Sequence, residues 1–267
     1  MNFEKVVIMT DLDGTLLNDK KQISEKDMAA IDEFRKGGGI FTVATGRGVA
    51  MSRRVVDVLE IDTPCVIFNG AAVYDFNEKR FLWHSSMPDF AVGYIKTLMK
   101  QFPDIGIEVL RGEEVFVVNN NKTVDEHMAI ENVVPVYMDI DDVPKDGWLK
   151  VLIAYPPEKL DTVTEYTKTD CNKGVNWVRS SPVYYEMLPE GISKGTGLPR
   201  LLEAMGETER FTVASGDFGN DYDMVRMADL GVAVANAQQA VKDAAKLVVG
   251  DNNSSPMSQI IEYIKTL

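Results

Sequence analysis

The chain has 267 residues, of which 45% are hydrophobic and 26% are charged. This is the composition of a globular protein with enough apolar material for a sizeable core, and it excludes a disordered or fibrous chain. The 28 lysines and arginines stand against 41 aspartates and glutamates, and the net charge of −13 argues against nucleic acid and membrane surfaces as partners.

The first part of the chain alternates short apolar runs with amphipathic segments. Three strands are predicted, at Val6–Thr10, Ile40–Ala44 and Cys65–Phe68. A helix that Ser24 caps and Gly37 ends is predicted between the first two strands, and a helix over Val49–Leu59 precedes the third. Strands that alternate with helices indicate a parallel sheet with right-handed crossovers.

The pattern changes after residue 81, where strands become more frequent than helices. Five strands are predicted there, at Ile107–Leu110, Val115–Val118, Leu149–Tyr155, Val175–Val178 and Tyr184–Leu188. Helices are predicted over Phe90–Phe102 and Glu158–Thr169. Most of these strands alternate polar and apolar residues, which predicts an antiparallel sheet with one solvated face.

The earlier alternation returns after Pro189. Strands and helices are predicted at Ser193–Met205, Phe211–Ala214, Asn220–Ala228, Val232–Ala235, Gln238–Ala245 and Pro256–Leu267. Pro199 is expected to delay or kink the first of these helices, because proline lacks the amide hydrogen that a helix interior needs. The sequence therefore predicts an α/β core, residues 1–81 and 190–267, interrupted by an inserted α+β domain, residues 82–189.

The most informative motif is Asp11-Leu12-Asp13-Gly14-Thr15, directly after the first predicted strand. Side chains two residues apart lie on one side of an extended segment, so the two carboxylates converge where the strand ends. Ligands of parallel α/β sheets bind at that end. Two close carboxylates repel each other unless a cation lies between them, and a set of oxygen ligands favours Mg²⁺. The simpler alternative is a turn that happens to contain two aspartates.

Three further motifs occupy loops that the same sheet would bring to one edge. Thr45-Gly46-Arg47 ends the second strand and offers a hydroxyl and an amide to an anion. Lys194 opens a helix, where a lysine is electrostatically unfavourable unless an anion lies nearby. Gly216-Asp217-Phe218-Gly219-Asn220-Asp221 again places carboxylates after a buried strand. Each motif alone could be an ordinary turn, an exposed lysine or a helix cap, but their joint occurrence in this order indicates one common site.

This ordered set of motifs resembles that of the haloacid dehalogenase-like hydrolase superfamily, and above all its Cof-type phosphatases. These carry a type IIB cap inserted between the second and third motifs. The segments Asn69-Gly70-Ala71 and Asn236-Ala237 also resemble the family, so the resemblance covers essentially the whole chain. It implies a Rossmann-like catalytic core and a cap domain that sets substrate specificity.

The resemblance also implies the chemistry. Asp11 matches the nucleophile that attacks phosphorus and forms an aspartyl-phosphate. Asp13 matches the general acid that protonates the leaving group and then the base that activates water. The Mg²⁺ ligands would be Asp11, the backbone carbonyl of Asp13 and Asp217, with Asp221 acting through water or from behind these ligands.

The resemblance assigns further residues to the phosphoryl group of the substrate. Its oxygens would be held by Thr45, the amides of Leu12 and Gly46, Lys194 and Asn220. Arg47 would help to orient the substrate or to neutralise its charge. The expected activity is therefore Mg²⁺-dependent hydrolysis of small phosphorylated metabolites, with sugar phosphates as the foremost class.

Other functions are compatible with parts of this pattern. A phosphomutase of the same superfamily also forms an aspartyl-phosphate, and a protein that only binds sugar phosphates would need the same phosphate contacts. A phosphoaspartate signalling module fits poorly, because such modules lack an inserted cap and an acid at the position of Asp13.

The expected compartment is the cytoplasm. The first residues lack the features of a signal peptide, and the chain has no apolar run of about 20 residues that could cross a membrane. Cys65 and Cys171 are the only cysteines and are expected to be reduced thiols. The sequence gives no indication of the oligomeric state.

Overall fold

The computed structural model describes residues 2–171 and 173–267, without the side chain of Asp170. Met1, at which the predicted core begins, lies outside the described residues. The strands are β1 (Val6–Thr10), β2 (Ile40–Val43), β3 (Cys65–Ile67), β4 (Ala72–Asp75), β5 (Arg80–His84), β6 (Gly106–Arg111), β7 (Glu114–Asn119), β8 (Val136–Tyr137), β9 (Trp148–Ala154), β10 (Val175–Arg179), β11 (Tyr184–Pro189), β12 (Phe211–Gly216), β13 (Leu230–Val234) and β14 (Leu247–Val249). The α-helices are α1 (Glu25–Lys36), α2 (Val49–Val58), α3 (Ala91–Gln101), α4 (Lys122–Glu131), α5 (Pro157–Asp170), α6 (Lys194–Met205), α7 (Tyr222–Met227), α8 (Gln239–Ala244) and α9 (Pro256–Thr266).

The chain folds into two compact units. The first contains the chain up to Gly46, Arg53–Trp83 and Ser193–Leu267, and the second contains Arg47–Ser52 and His84–Ile192. The second unit is therefore largely one continuous insert, whereas the first is assembled from segments on both sides of it. No helix in the described part of the chain is both long enough and apolar enough to cross a membrane.

The first unit is built on a parallel five-stranded sheet with the order β14-β13-β12-β1-β2. Strand β1 lies inside this sheet and is buried along its whole length, because four of its five residues are apolar. At its carboxyl end Thr10 is level with Ser215 of β12 and Val43 of β2. The α/β class with a parallel-sheet core is confirmed.

Strand β3 differs from the prediction. It pairs antiparallel with β4 in a separate three-stranded sheet, and only a single parallel bridge between Ala44 and Val66 connects it to the end of β2. The chain reverses after β3 because Asn69 and Gly70 adopt positive φ angles of 53° and 98°. Strands β4 and β5 follow from this reversal and were not predicted.

The second unit contains a six-stranded sheet with the order β10-β11-β9-β6-β7-β8, antiparallel except for the pair β7 and β8. The predicted solvated face is wrong, since every residue of β9 is buried. The polar residues on one face are buried in ion pairs, such as Lys150 with Glu186 at 3.0 Å. Helix α4 was also not predicted.

Helix α6 begins at Lys194 in spite of Pro199, so a delayed start is wrong. The Ser193 side chain accepts a hydrogen bond from the Thr196 amide, and the Thr196 hydroxyl accepts one from the Ser193 amide. This capping box satisfies amides of the first turn and fixes the start of the helix one turn before Pro199.

Candidate active site

The predicted motifs meet at the carboxyl edge of the parallel sheet. Asp11 directly follows β1, and its backbone amide donates a hydrogen bond to the carbonyl of Ser215 on β12 at 2.9 Å. The strand register thus fixes the backbone that carries the Asp11 carboxylate. The side chain of Asp11 is buried, as are those of Asp221 and Lys194.

Lys194 lies between two of these carboxylates. Its ammonium donates to Asp11 Oδ1 at 2.5 Å and to Asp221 Oδ1 at 2.7 Å, and its side chain is 0% exposed. Burial by itself lowers the pKa of Lys194, but the negative charges of Asp11 and Asp221 outweigh this effect and raise the pKa above its usual range. Lys194 is therefore a permanent cation, and these partners explain the lysine at a helix start.

The carboxylates form a group that could hold a cation. One oxygen each of Asp11, Asp217 and Asp221 lies within 4.8 Å of the others. Thr15 Oγ1 donates to Asp217 Oδ1 at 2.9 Å and orients that carboxylate. Gly14, at φ +83°, leaves room for it, because a Cβ atom there would lie 2.6 Å from Asp217 Oδ2.

The pKa values of Asp11 and Asp217 reflect their burial and the negative charges beside them. Burial raises the pKa of Asp11 well above its usual range, against the lowering effect of Lys194, and the charges of Asp221 and Asp217 raise it further. Burial and the Asp221 charge raise the pKa of Asp217 to about 7. A hard divalent cation relieves such repulsion and prefers carboxylate oxygens, so the donor set fits Mg²⁺.

Asp221 and Asp13 occupy different positions around this group. Asp221 Oδ2 accepts hydrogen bonds from the amides of Asp217 at 2.9 Å and Phe218 at 3.1 Å, which ties the loop after β12 to Lys194. The Asp13 carboxylate instead lies 2.6 Å from the ammonium of Lys21. The Asp13 carboxylate thus contacts a partly exposed cation, and its negative charge also raises the pKa values of Asp11 and Asp217.

The residues predicted to bind phosphate also lie in the first unit. Thr45 and Leu12 are buried, and Gly46 is so close to Asn69 that a Cβ atom would lie 3.0 Å from Asn69 Oδ1. Asn220 Nδ2 donates to the same Asn69 oxygen at 3.0 Å. Asn220 Oδ1 is buried and accepts no hydrogen bond from the described residues.

Arg47 belongs to the second unit together with the five residues that follow it. Its Nη1 lies 3.0 Å from Glu131 Oε2 and donates to the carbonyl of Met51 at 3.2 Å. A carboxylate at the C-terminal end of a helix is unfavourable, and Arg47 offsets this for Glu131 at the end of α4. A substrate role for Arg47 stays a prediction.

Three residues around the site were given no role from the sequence. Thr15 orients Asp217, and its hydroxyl within the first motif was a usable signal. Asn236 Nδ2 donates to the carbonyl of Gly14 at 2.8 Å and supports the turn after Asp13. Lys21 carried no such signal, since only the folded loop brings it to Asp13.

The raised pKa of Asp217 predicts how the metal-free protein responds to pH. A carboxyl group with a folded pKa of about 7, against an ordinary value of 3.8, binds protons more tightly when folded. It contributes stability that is fully present below about pH 4 and is lost as the pH rises through about 7. With chelator present, the Tm of the wild type should fall more between about pH 5 and about pH 8 than that of Asp217→Asn. An equal fall of Tm with pH in the wild type and in Asp217→Asn would contradict this. The control is Asp32→Asn, at an exposed site on α1, which should behave as the wild type does.

Comparison with known proteins decides the family. A family model for haloacid dehalogenase-like hydrolases matches residues 8–261. The chain belongs to this family. The resemblance inferred from the four motifs is thereby confirmed, together with the fold class.

Several relatives of this haloacid dehalogenase-like hydrolase are named for their substrates. Pyridoxal phosphate phosphatase YbhA of Escherichia coli is 29% identical, over 96% of this chain and 97% of that protein. The 5-amino-6-(5-phospho-D-ribitylamino)uracil phosphatase YitU of Bacillus subtilis is 24% identical, over 98% of both. The chain is accordingly an enzyme, a phosphoric monoester hydrolase.

Solved structures share the fold of this hydrolase. A haloacid dehalogenase-like hydrolase from Bacteroides thetaiotaomicron is 26% identical, with a TM-score of 0.81, over 97% of this chain and 98% of that chain. The subclass IIB sugar phosphatase BT4131 has a TM-score of 0.84 at 20% identity, over 98% of this chain and 99% of that chain. The second likeness shows that this chain shares the fold of that protein.

Proposed function

We propose that this hydrolase is a Mg²⁺-dependent phosphatase that acts on small phosphorylated metabolites, sugar phosphates foremost, through an aspartyl-phosphate on Asp11. The observation that carries the proposal is the separation of two carboxylates within one motif. Asp11 lies buried against Lys194, in the group of carboxylates that fits a cation. Asp13, two residues later, contacts Lys21 and has its carboxylate outside that group.

The first chemical step uses both aspartates. An oxygen of Asp11 forms a bond to phosphorus as the bond from phosphorus to the ester oxygen breaks. Asp13 gives its proton to the departing oxygen, which leaves as an alcohol. Lys194, fixed between Asp11 and Asp221, keeps a positive charge beside the nucleophile throughout.

The second step returns the enzyme to its starting state. Asp13 takes a proton from water, and the water oxygen forms a bond to phosphorus as the bond to Asp11 breaks, which releases inorganic phosphate. Mg²⁺ held by Asp11, Asp217 and the carbonyl of Asp13 would offset the negative charge of the phosphoryl group. Asp221 would support this site from behind, through its bonds to the Asp217 amide and to Lys194.

The remaining predicted residues complete the proposal. Phosphoryl oxygens would accept hydrogen bonds from the Thr45 hydroxyl, the amides of Leu12 and Gly46, Lys194 and the Asn220 side chain. The core is proposed to comprise residues 1–81 and 190–267, and residues 82–189 are proposed to act as the cap that recognises the alcohol part of the substrate. Relatives that act on a pyridoxal phosphate and on a ribityl phosphate support small phosphorylated metabolites as the class.

We also propose the cytoplasm as the compartment. Cys65 and Cys171 are both buried and form no disulfide bond. Burial raises the pKa of the Cys65 thiol to about 12, so this cysteine is an unreactive part of the core.

The proposed function is tested by measuring inorganic phosphate with one ester at a time, for the wild type and for Asp13→Asn. The wild type should release phosphate from a single ester with no second substrate, which neither a mutase nor a binding protein would do. Release from a sugar phosphate should fall by roughly 10²–10⁴-fold in Asp13→Asn, because an alkoxide needs the proton that Asp13 supplies. Nitrophenolate leaves without that proton, so its first step should be affected less.

The same variant should accumulate phosphoenzyme, because water attack lacks its base. Rapid acid quench with a radiolabelled ester and peptide mapping would locate the label on Asp11. Equal loss of the first step for both esters without a labelled peptide would show that Asp13 is not the acid and base.

A further inference from the structure

Lys21 reaches the acid and base Asp13 although it belongs to none of the motifs. Its Nζ lies 2.6 Å from Asp13 Oδ1. We propose that Lys21 is a specificity-determining residue that binds a negatively charged oxygen on the leaving group of the substrate. This inference rests on the proposed function, because it takes the departing oxygen to lie beside Asp13.

The turn that carries Lys21 is held in an unusual conformation. Lys21 has φ +57°, in the left-handed region that residues other than glycine and asparagine rarely adopt. Its amide donates to the carbonyl of Asn18 at 2.8 Å, and the Asn18 side chain accepts from the amides of Lys20 and Gln22 at 2.9 and 3.1 Å. These hydrogen bonds stabilise a backbone conformation that is energetically unfavourable for a lysine.

The turn is also fixed from outside by the loop before α9. Asn252 Nδ2 donates to the carbonyl of Leu17 and to Asp19 Oδ1, each at 3.1 Å, and the Asp19 amide donates to Asn253 Oδ1 at 3.2 Å. Lys21 therefore projects from a backbone position that two separate segments of the first unit determine.

The ammonium of Lys21 has N–H donors that no described residue uses. A lysine carries three N–H donors, and among the described residues only Asp13 accepts from Lys21. Its side chain is 55% exposed, whereas Lys194 is fully buried and is shared by two carboxylates. Two N–H groups of Lys21 are thus available to a ligand at this site.

The position of these donors defines the group that they can bind. Asp13 must come within about 2.6–3.2 Å of the departing oxygen to protonate it. The ammonium that contacts Asp13 is then close to atoms one or two bonds beyond that oxygen. Asp13 already accepts from Lys21, so an acceptor that competes with it for this ammonium binds most strongly if it is itself an anion. The preferred leaving group is therefore one that carries a carboxylate or a second phosphate next to the ester carbon.

Two esters that differ in one group test this preference. 2-Phosphoglycerate and glycerol 2-phosphate carry the phosphate on the same carbon, beside a carboxylate in the first and a hydroxymethyl group in the second. The wild type should have the higher kcat/KM for 2-phosphoglycerate, with most of the difference in KM. The ratio of the two kcat/KM values should fall about 10-fold to 100-fold in Lys21→Asn and in Lys21→Gly, the range for a lost hydrogen bond to a charged group.

Lys21→Asn and Lys21→Gly remove the ammonium group without straining the turn, because asparagine and glycine both accept a positive φ. Lys20→Asn is the matched control, since Lys20 is the neighbouring exposed lysine and pairs with no carboxylate of the described residues. The ratio of the two kcat/KM values in Lys20→Asn should equal that of the wild type.

Two results would overturn the inference. One is a wild type without a preference for 2-phosphoglycerate, and the other is a Lys21→Asn variant with an unchanged ratio, even if both values fall. Failure of the proposed function itself would look different, because the wild type would then release no phosphate from p-nitrophenyl phosphate.

Discussion

Asp11→Asn is expected to abolish the turnover of every phosphate ester. The amide is a far poorer nucleophile than the carboxylate, so no phosphoenzyme can form and kcat/KM should fall by at least about 10⁴-fold. Good and poor leaving groups should be affected alike, because Asp11 must displace both of them. Phosphate release with p-nitrophenyl phosphate and with a sugar phosphate measures this.

The variant should remain folded. Asparagine has nearly the shape of aspartate, and Lys194 keeps its contact with Asp221 at 2.7 Å. Circular dichroism and Tm would verify this, and Asp32→Asn on the exposed face of α1 should retain full activity. Turnover by a folded Asp11→Asn protein within tenfold of the wild type would exclude Asp11 as the nucleophile.

Removal of divalent metal is expected to eliminate activity in the unaltered enzyme. Without a cation, burial and the negative charges of the neighbouring aspartates raise the pKa values of Asp11 and Asp217. A protonated Asp11 is a poor nucleophile, and no metal charge then offsets that of the phosphoryl group. Added Mg²⁺ should restore turnover, and Ca²⁺ should restore it poorly because it prefers a larger and looser coordination shell. Phosphate release after exhaustive chelation and after readdition of each ion measures the effect.

A binding measurement separates the metal site from catalysis. Mg²⁺ should raise the Tm of the wild type at about pH 8, since binding to the folded state stabilises it. The same addition should have little effect on Asp217→Asn, which lacks one of the three clustered carboxylates. Full activity after chelation, or an equal rise in Tm for both proteins, would contradict a Mg²⁺ site at Asp217.

The parts of the fold that the sequence predicts are those in which local pattern and burial agree. Strand β1 is an apolar run because it is buried inside the parallel sheet. The motif Asp11 to Thr15 follows it because ligands of such sheets bind where the strands end. The ion pairs of Lys194 could also be anticipated, since a cation at a helix start needs neighbouring anions.

Other features depend on contacts that no local pattern contains. The antiparallel pairing of β3 with β4 results from positive φ angles at Asn69 and Gly70, which composition does not specify. Lys21 meets Asp13 only because the loop around Asn252 holds its turn in place. The buried pair Lys150–Glu186 lies in strands whose alternation normally means exposure, so the prediction of a solvated face was wrong.

The position of β1 within its sheet also has a consequence for synthesis on the ribosome. One neighbour, β2, follows after about 30 residues, but the other, β12, begins only at Phe211. At about 5–20 residues per second, the edge of β1 that carries Asp11 waits roughly 10–40 s for its partner strand. By the end of that time all strands of the second unit's sheet have been synthesised, while β1 still presents unpaired amides and carbonyls on one edge. Asp11 therefore follows an apolar strand that keeps one edge unpaired until late in synthesis, and a chaperone that binds apolar segments is expected to act there.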